Sequence, residues 1–262
     1  MIINPYRFAA AGAVTLPEPI HWWNLNNVVA VDSGDGLYDL GTKRVNSFWD
    51  LTNVSCTTDA TGGLNSQSVV DMPSTGYLHR TSNKEWDGDN AGSISVSTWV
   101  EMDLMADGGT VARFFVAWRG TTYGVNPWIF DMELRHVASN PNNIWFTNLD
   151  VDDDFRRAID STTAPTTSVW YHIVGTYASG VSKIYVDGVL TATDNTGGAM
   201  GDFDTSLLPF ALGTAPYDKG TLGHDGRMGA TGIWDVELSA TEVSTLYGSG
   251  TTDGYYADYT FV

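Results

Sequence analysis

The sequence holds a single cysteine, Cys56, in 262 residues, which excludes an internal disulfide framework and a cysteine-built zinc site. Positive charge is also scarce. Thirteen Lys plus Arg stand against 31 Asp plus Glu, a formal net charge of −18, and this sign excludes sequence-independent binding to nucleic acid or to an anionic membrane surface. Glutamate is rare within the acids, six residues against 25 aspartates. Aspartate favours turns and glutamate favours helices, so the imbalance points to many loops between short strands; calcium ligation is the sharper reading of the same bias. No apolar run approaches the ~20 residues of a membrane span. The stretch after Arg7, Phe8-Ala9-Ala10-Ala11, is broken by Gly12, which argues against a secretory signal.

What is plentiful is β-structure. The stretch SVWYHIVGTYASGVSKIYVDGVLTAT, Ser168 to Thr193, reads as three antiparallel strands in a row. Trp170, His172, Val174 and Thr176 alternate with Tyr171, Ile173 and Tyr177. Ala178 to Val181 is a turn, and Asp187-Gly188 is a two-residue reversal of the type that needs positive φ at both positions. The turn fixes the register, with Val186 opposite Val189 and Tyr185 opposite Leu190. A hairpin alone is marginal in water, so this meander must lie inside a larger sheet.

Further strands are expected at His21–Leu25, Ser47–Thr52, Gln67–Met72 and Gly76–His79. From Ser93, residues Ile94, Val96, Thr98, Val100, Met102 and Leu104 make one face of a long strand, with Trp99 on the other. VARFFVAW is apolar on both faces, as a central strand should be. Trp128, Phe130, Met132 and Leu134 alternate with Asp131, Glu133 and Arg135. Asn140 to Asn143 reads as a turn, Asp150 to Asp154 as an acidic reversal, and Ser206–Gly213 and Gly226–Val236 as strands. Strands at this spacing make an all-β sandwich. The helix start comes at Ser239, whose S-x-x-E spacing to Glu242 is a capping box, and Gly248 ends that helix.

The segments WYHIVGTYASGVSKIYVDGVL, FALGTA and GRMGATGIWDVELSATEVSTLY, in this order, resemble the concanavalin-A-like jelly roll of laminin-G-like modules. There the pattern is a W-h-h-h-aromatic strand, then Y-V-D/N-G, then a strand leading to L-S-x-x-E-h. The early HWWNLNN and VDSGDG resemble that family's opening strand and Asp loop, so the likeness spans roughly residues 21–248. It implies two curved antiparallel sheets, a 21–250 jelly-roll domain, and ligand sites on the concave face or the rim loops. Residues 1–20 then read as an extended N-terminal arm and 251–262 as a tail or edge strand. The fold hosts lectins, carbohydrate-binding modules, glycosidases, adhesion modules and virion proteins, so it does not decide function.

The candidate sites are each weak in sequence. Glycosidases of this fold carry E-x-D-x-E or E-x-D-x-x-E on one strand, flanking the sugar with two carboxylates. Glu101-Met102-Asp103 begins that motif but Met105 and Ala106 fill the closing positions, while Asp131 and Glu133 share a face without a third acid. Both read as polar strand faces, and no catalytic residue is assigned. Calcium would fall to Asp32 and Asp35 in the early Asp loop. Asp32 matches the family's aspartate, but Gly229 stands where the family's second acid is expected. Other acid-rich stretches are Asp87 with Asp89, and Asp150 with Asp152, Asp153 and Asp154. Trp86, beside Asp87, Asp89 and Asn90, is the candidate glycan-stacking residue; the plainer reading is a tryptophan covering the end of the sandwich. The five histidines lack ligand spacing, and Cys56 reads as a small buried residue.

These features favour a non-enzymatic virion protein of a tailed bacteriophage: a capsid decoration, head-fibre or tail-adhesin subunit with a glycan-binding surface. The opening MIINPYRFA resembles the starts of phage structural proteins. Ile2, Ile3, Tyr6 and Phe8 are the expected contacts with other subunits or virion proteins. The alternatives are a secreted bacterial carbohydrate-binding or adhesion module and a glycoside hydrolase. The metal assignment has a direct test. If Asp32 and Asp35 hold calcium, chelation lowers the melting temperature and added calcium restores it; no shift on chelation leaves them as turn residues.

Overall fold

The computed structural model describes residues 15–23, 25, 36–37, 51–66, 68–80, 92–107, 112–120, 128–137, 140–150, 154–200, 208–218 and 221–248. The strands there are β1 (His21–Trp23), β2 (Gly36–Leu37), β3 (Leu51–Val54), β4 (Thr57–Asp59), β5 (Val69–Met72), β6 (Tyr77–Arg80), β7 (Ser93–Met102) and β8 (Ala112–Arg119). They continue as β9 (Trp128–Val137), β10 (Asn140–Leu149), β11 (Phe155–Asp160), β12 (Trp170–Ala178), β13 (Val181–Val186), β14 (Val189–Asp194), β15 (Phe210–Leu212) and β16 (Gly226–Trp234), followed by α1 (Ala240–Gly248). They form two antiparallel sheets. The first runs β14-β13-β12-β7-β16-β5-β4, with β1 also paired to β16, and the second runs β11-β10-β9-β8-β15-β6-β3-β2.

The meander has the expected register. Val186 faces Val189 and Tyr185 faces Leu190, with φ of 50° at Asp187 and 77° at Gly188, the conformation a two-residue reversal requires. Strand β12 also pairs along its whole length with β7, which makes the meander one half of the first sheet. Inner faces meet in one core that takes Val96, Val100, Met102, Ile173 and Tyr177 from the first sheet and Val116, Trp118, Phe130, Met132 and Phe146 from the second. Burying side chains of this size contributes about 1.5–3 kcal/mol each before entropy is set against it. Thr98 and Thr231, also fully buried, satisfy each other through a 2.8 Å hydroxyl pair.

The outer face of the first sheet is covered by apolar material. Leu16, Trp22, Val174, Tyr185, Ala230, Trp234, Leu238, Val243 and Leu246 form a second cluster. The helix is anchored by its capping box: the Ser239 amide donates to Glu242 Oε2 (2.6 Å) and the Glu242 amide donates to Ser239 Oγ (3.3 Å). Residues 15–20, read from sequence as the end of an arm, lie against this same sheet. Leu16 and Ile20 are buried, and the Trp234 indole N–H donates to the Pro17 carbonyl at 2.8 Å. Residues 1–14 and 251–262 lie outside the described residues.

Three local expectations change. Leu104 is not on the face of the long strand: β7 ends at Met102, the Asp103 amide turns to the Asp225 carbonyl (2.7 Å), and Leu104 is exposed. Asn140 to Asn143 is not a simple turn, since β10 starts at Asn140 and absorbs a register shift before Asn143, with Asn142 at φ 63°. The apolar signal of β8 on both faces also has a cause. A bulge between Phe114 and Val116 sends Phe115 and Val116 into the inter-sheet core, while Ala112, Phe114 and Ala117 pack on the far side with Ala215.

Phe146 of the second sheet lies on the bare backbone of Gly175 in the first. A β-carbon on Gly175 would sit 2.3 Å from Cδ2 of that ring, far inside contact distance. Gly175→Ala is therefore expected to cost about 1–3 kcal/mol, lowering the melting temperature by roughly 2–4 °C per kcal/mol. Pairing it with Phe146→Leu should recover part of the loss in a thermal melt. Equal melting temperatures for wild type and Gly175→Ala would show that the contact does not set the sheet spacing.

Candidate ligand-binding face

Apolar side chains cover part of the outer face of the first sheet, and a row of buried charge lies on the outer face of the second. In β9 the inward residues are Phe130, Met132 and Leu134, so alternation aims Asp131, Glu133 and Arg135 at the outer face of the second sheet. Strand register then places their neighbours. Asp131 lies between Ala117 of β8 and Thr147 of β10, and Thr147 faces Arg157 of β11. Glu133 lies between Phe114 and Trp145, and Trp145 faces Ile159. Farther along the first row come Ala211 of β15 and His79 of β6.

The carboxylates are not a solvated strand face. Asp131 is 1% and Glu133 2% exposed. Burial removes the hydration that keeps a carboxylate charged, so each must find cations or take up a proton. Arg119 donates to Asp131 Oδ2 at 2.8 Å, with both side chains buried. Arg135 donates to Glu133 Oε1 at 2.9 Å. Burial pushes the Asp131 carboxyl well above the ordinary range and the charge of Glu133 adds to it, against the opposing pull of Arg119 and Thr147. Glu133 is also raised by burial, opposed by Arg135, Arg119 and Arg157.

Aromatic rings order these guanidinium groups. Arg119 lies 4.4 Å from the Tyr217 ring centroid and 6.0 Å from that of Phe114. Arg135 and Arg157 sit 4.9 and 5.7 Å from the centroid of Trp145, and Arg157 is 5.0 Å from that of Phe155. Cation–π contacts of this kind hold a flexible side chain near one place. Glu133 Oε2 and the Trp145 Nε1 are buried without a hydrogen-bond partner among the described residues, and their residues face each other across β9 and β10.

The remaining candidates fall elsewhere. Glu101 is on the first sheet, where Arg227 binds it at 2.7 Å and Asp59 at 2.9 Å; Asp103 follows the end of that strand. Glu101 and Asp103 are thus on a different sheet from Asp131 and Glu133. Asp150 is an internal lock: it accepts from the amides of Asp154 (3.0 Å) and Gly198 (3.1 Å) and from Arg156 Nε (2.6 Å). Its oxygens are committed to holding the acidic reversal. His172, expected inside the sheet, is buried, its Nε2 2.8 Å from Ser97 Oγ, and burial pushes its pKa down to about 3. Cys56 is buried, its thiol pushed up to about 12 by burial and then by the charge of Asp71. Among the described residues no group of three or more His, Cys, Asp or Glu could hold a metal ion, and no helix is long and apolar enough to cross a membrane. Asp32 and Asp35, the set Trp86, Asp87, Asp89 and Asn90, and Ile2, Ile3, Tyr6 and Phe8 all lie outside the described residues. The buried pair was visible in sequence only as two acids on one face. Trp145 carried no signal beyond its place in a strand.

Comparison with known proteins supports the architecture. No curated protein sequence matches the chain. Among solved structures, domain 4 of AbnA, a GH43 extracellular arabinanase from Geobacillus stearothermophilus in complex with arabinotriose, superposes with a TM-score of 0.56 at 13% identity, covering 87% of this chain and 97% of that one. The binding domain of botulinum neurotoxin serotype C1 gives 0.57 at 14% identity over 88% of this chain and 52% of its own. Trypanosoma rangeli sialidase in complex with the inhibitor DANA gives 0.58 at 12% identity over 90% of this chain and 34% of its own. The chain thus spans about half of the toxin domain and a third of the sialidase, and identities this low establish a shared fold alone. The family pattern described as the concanavalin A-like lectin/glucanases superfamily matches residues 74–244, a span that takes in strands β6 to β16, and the chain belongs to that superfamily.

Proposed function

We propose that this protein is a non-catalytic glycan-binding jelly roll that recognises sugar through the outer face of its second sheet. The observation that carries the reading is the pair formed by Glu133 Oε2 and the Trp145 Nε1, a buried acceptor and a buried donor on directly opposed residues, neither with a partner among the described residues. A hydroxyl group accepts one hydrogen bond and donates another, so a single sugar hydroxyl can satisfy both. Trp145 is only partly buried, and a sugar would pack on the part of its ring that the Arg135 and Arg157 guanidinium groups leave open. The acids favour binding over hydrolysis. Asp131 is closed into an ion pair with Arg119, and Glu133 accepts from Arg135, so neither stands free to move a proton. The arabinotriose held by the arabinanase domain supports sugar as the ligand class.

Binding to an oligosaccharide array followed by calorimetry on the best ligand tests this. Trp145→Ala should weaken binding at least about tenfold, the scale of one or two lost contacts at 1.4 kcal/mol per decade. Glu133→Gln should weaken it less, because an acceptor oxygen remains. Release of shorter sugars from a bound ligand, abolished in Asp131→Asn, would replace this reading with a hydrolase.

We further propose that the domain is displayed on a virion surface by contacts made through residues before Thr15. The acidity of the chain, −18, suits a particle-surface protein that must not adsorb nucleic acid, and Ile2, Ile3, Tyr6 and Phe8 supply apolar contact area. Because Leu16 and Pro17 pack on the sandwich, the informative truncation removes residues 2–14. It should keep the wild-type melting temperature and lose assembly, read by light scattering or incorporation into particles. Normal assembly of the truncated chain would refute the role of that segment.

A further inference from the structure

We infer that the sugar recognised on this face is acidic, its carboxylate received by Arg157; this rests on the reading of the face as a glycan site. The starting point is how the described basic side chains are used. Arg119, Arg135, Arg156 and Arg227 are each in an ion pair with an aspartate or glutamate, and Lys183 pairs with Glu237. Arg113 points inward and donates to the carbonyls of Met105 (3.1 Å) and Gly223 (2.9 Å). Arg157 differs. It is exposed on the outer face of β11, its guanidinium rests between the rings of Phe155 and Trp145, and it enters no ion pair among the described residues. In a chain with 31 acids and 13 bases, a guanidinium without a carboxylate partner is the unusual arrangement.

Three features make that cation a receptor and not a solvated surface charge. Its fork is held by aromatic rings on two strands, so less rotamer freedom is lost when it engages a ligand. It stands 5.7 Å from the centroid of Trp145, the ring beside which the sugar is proposed to bind. The acids around it are already answered: Asp131 by Arg119, Glu133 by Arg135, and Asp194 by the Arg157 backbone amide (3.1 Å) and by Thr196. A planar guanidinium meets a carboxylate through two parallel hydrogen bonds, and this geometry selects a uronic-acid type of sugar over a neutral one. The wider negative charge of the chain opposes any anion at long range, so the interaction must be local and sensitive to salt.

The test uses the full-length protein and a panel of trisaccharides of galacturonic, glucuronic and mannuronic acid, each beside its neutral methyl ester, with neutral trisaccharides as a third arm. At least one acid should bind about tenfold or more tighter than its ester, in line with charge-assisted hydrogen bonds of about 1.5–3 kcal/mol. That preference should shrink as salt is raised. Arg157→Ala should bring the acid down to the affinity of its ester, while Arg157→Lys keeps part of the difference, and an unchanged melting temperature confirms that both variants fold. Acid and ester bound equally, or a preference that survives Arg157→Ala, overturns the carboxylate assignment and leaves the glycan site standing. Binding confined to the neutral arm does the same. Failure of all three arms overturns the glycan reading together with this inference.

Discussion

Two β-sheets can share one core only if their inner faces approach closely enough to expel water, and here Phe146 of one sheet lies against the backbone of Gly175 in the other. The contact joins β10 of the second sheet to β12 of the first, near the middle of the residues that fill the core. Interiors are packed to crystal-like density, so a single side chain in this gap is felt by both sheets. Strand β12 is pinned on either side by β7 and β13 and cannot move away to make room. Strand β10 is held likewise between β9 and β11, the strands that carry the polar outer face. The spacing of the core and the placement of the candidate site are therefore not independent.

The two outer faces follow from the same constraint by opposite routes. A sheet that packs on one side leaves the other to water unless something covers it. The first sheet is covered over part of its outer face by Leu16, Trp22 and the helix residues Val243 and Leu246, and outside that apolar cover Arg227 bridges Glu101 and Asp59. The second is covered in part by Ala215, Tyr217 and Leu222 over β8, and its charges turn inward under that cover. A buried ion pair is poor evidence of stability, because desolvating both charges can cost more than their attraction returns. Arg119 and Asp131 nevertheless lie at 3% and 1% exposure. Such an arrangement is more readily understood as fixing a surface than as stabilising the fold. Arg119 is held between Asp131 and Tyr217, next to the row in which Glu133 faces Trp145.

Features whose cause is local in the chain were legible in the sequence. The Asp187-Gly188 reversal requires only the conformational tolerance of those two residues, and the capping box requires only Ser239 and Glu242. Strand faces such as Val96, Val100 and Met102 followed from the period of two. What could not be read depended on partners distant in sequence. The end of β7 is set by the carbonyl of Asp225, so Leu104 looked like one more strand position. The burial of Asp131 is set by Arg119 and by the Tyr217 loop, and an alternating D-x-E in a strand has the same pattern whether it is solvated or enclosed. Pro17 resembled linker because nothing nearby announced that Trp234 would donate to its carbonyl.

Enclosure also changes what the acids can do. A general acid needs a raised pKa together with a proton path to the substrate, and Asp131 has the first because burial and Glu133 raise it. Its Oδ2 is directed at Arg119. Glu133 is raised by burial too, with Arg135, Arg119 and Arg157 opposing that shift, and its Oε1 accepts from Arg135. In the proposed glycan site the Glu133 carboxylate beside the Trp145 indole N–H is placed to read hydroxyl groups, while Arg119 and Arg135 are taken up by ion pairs with the two acids.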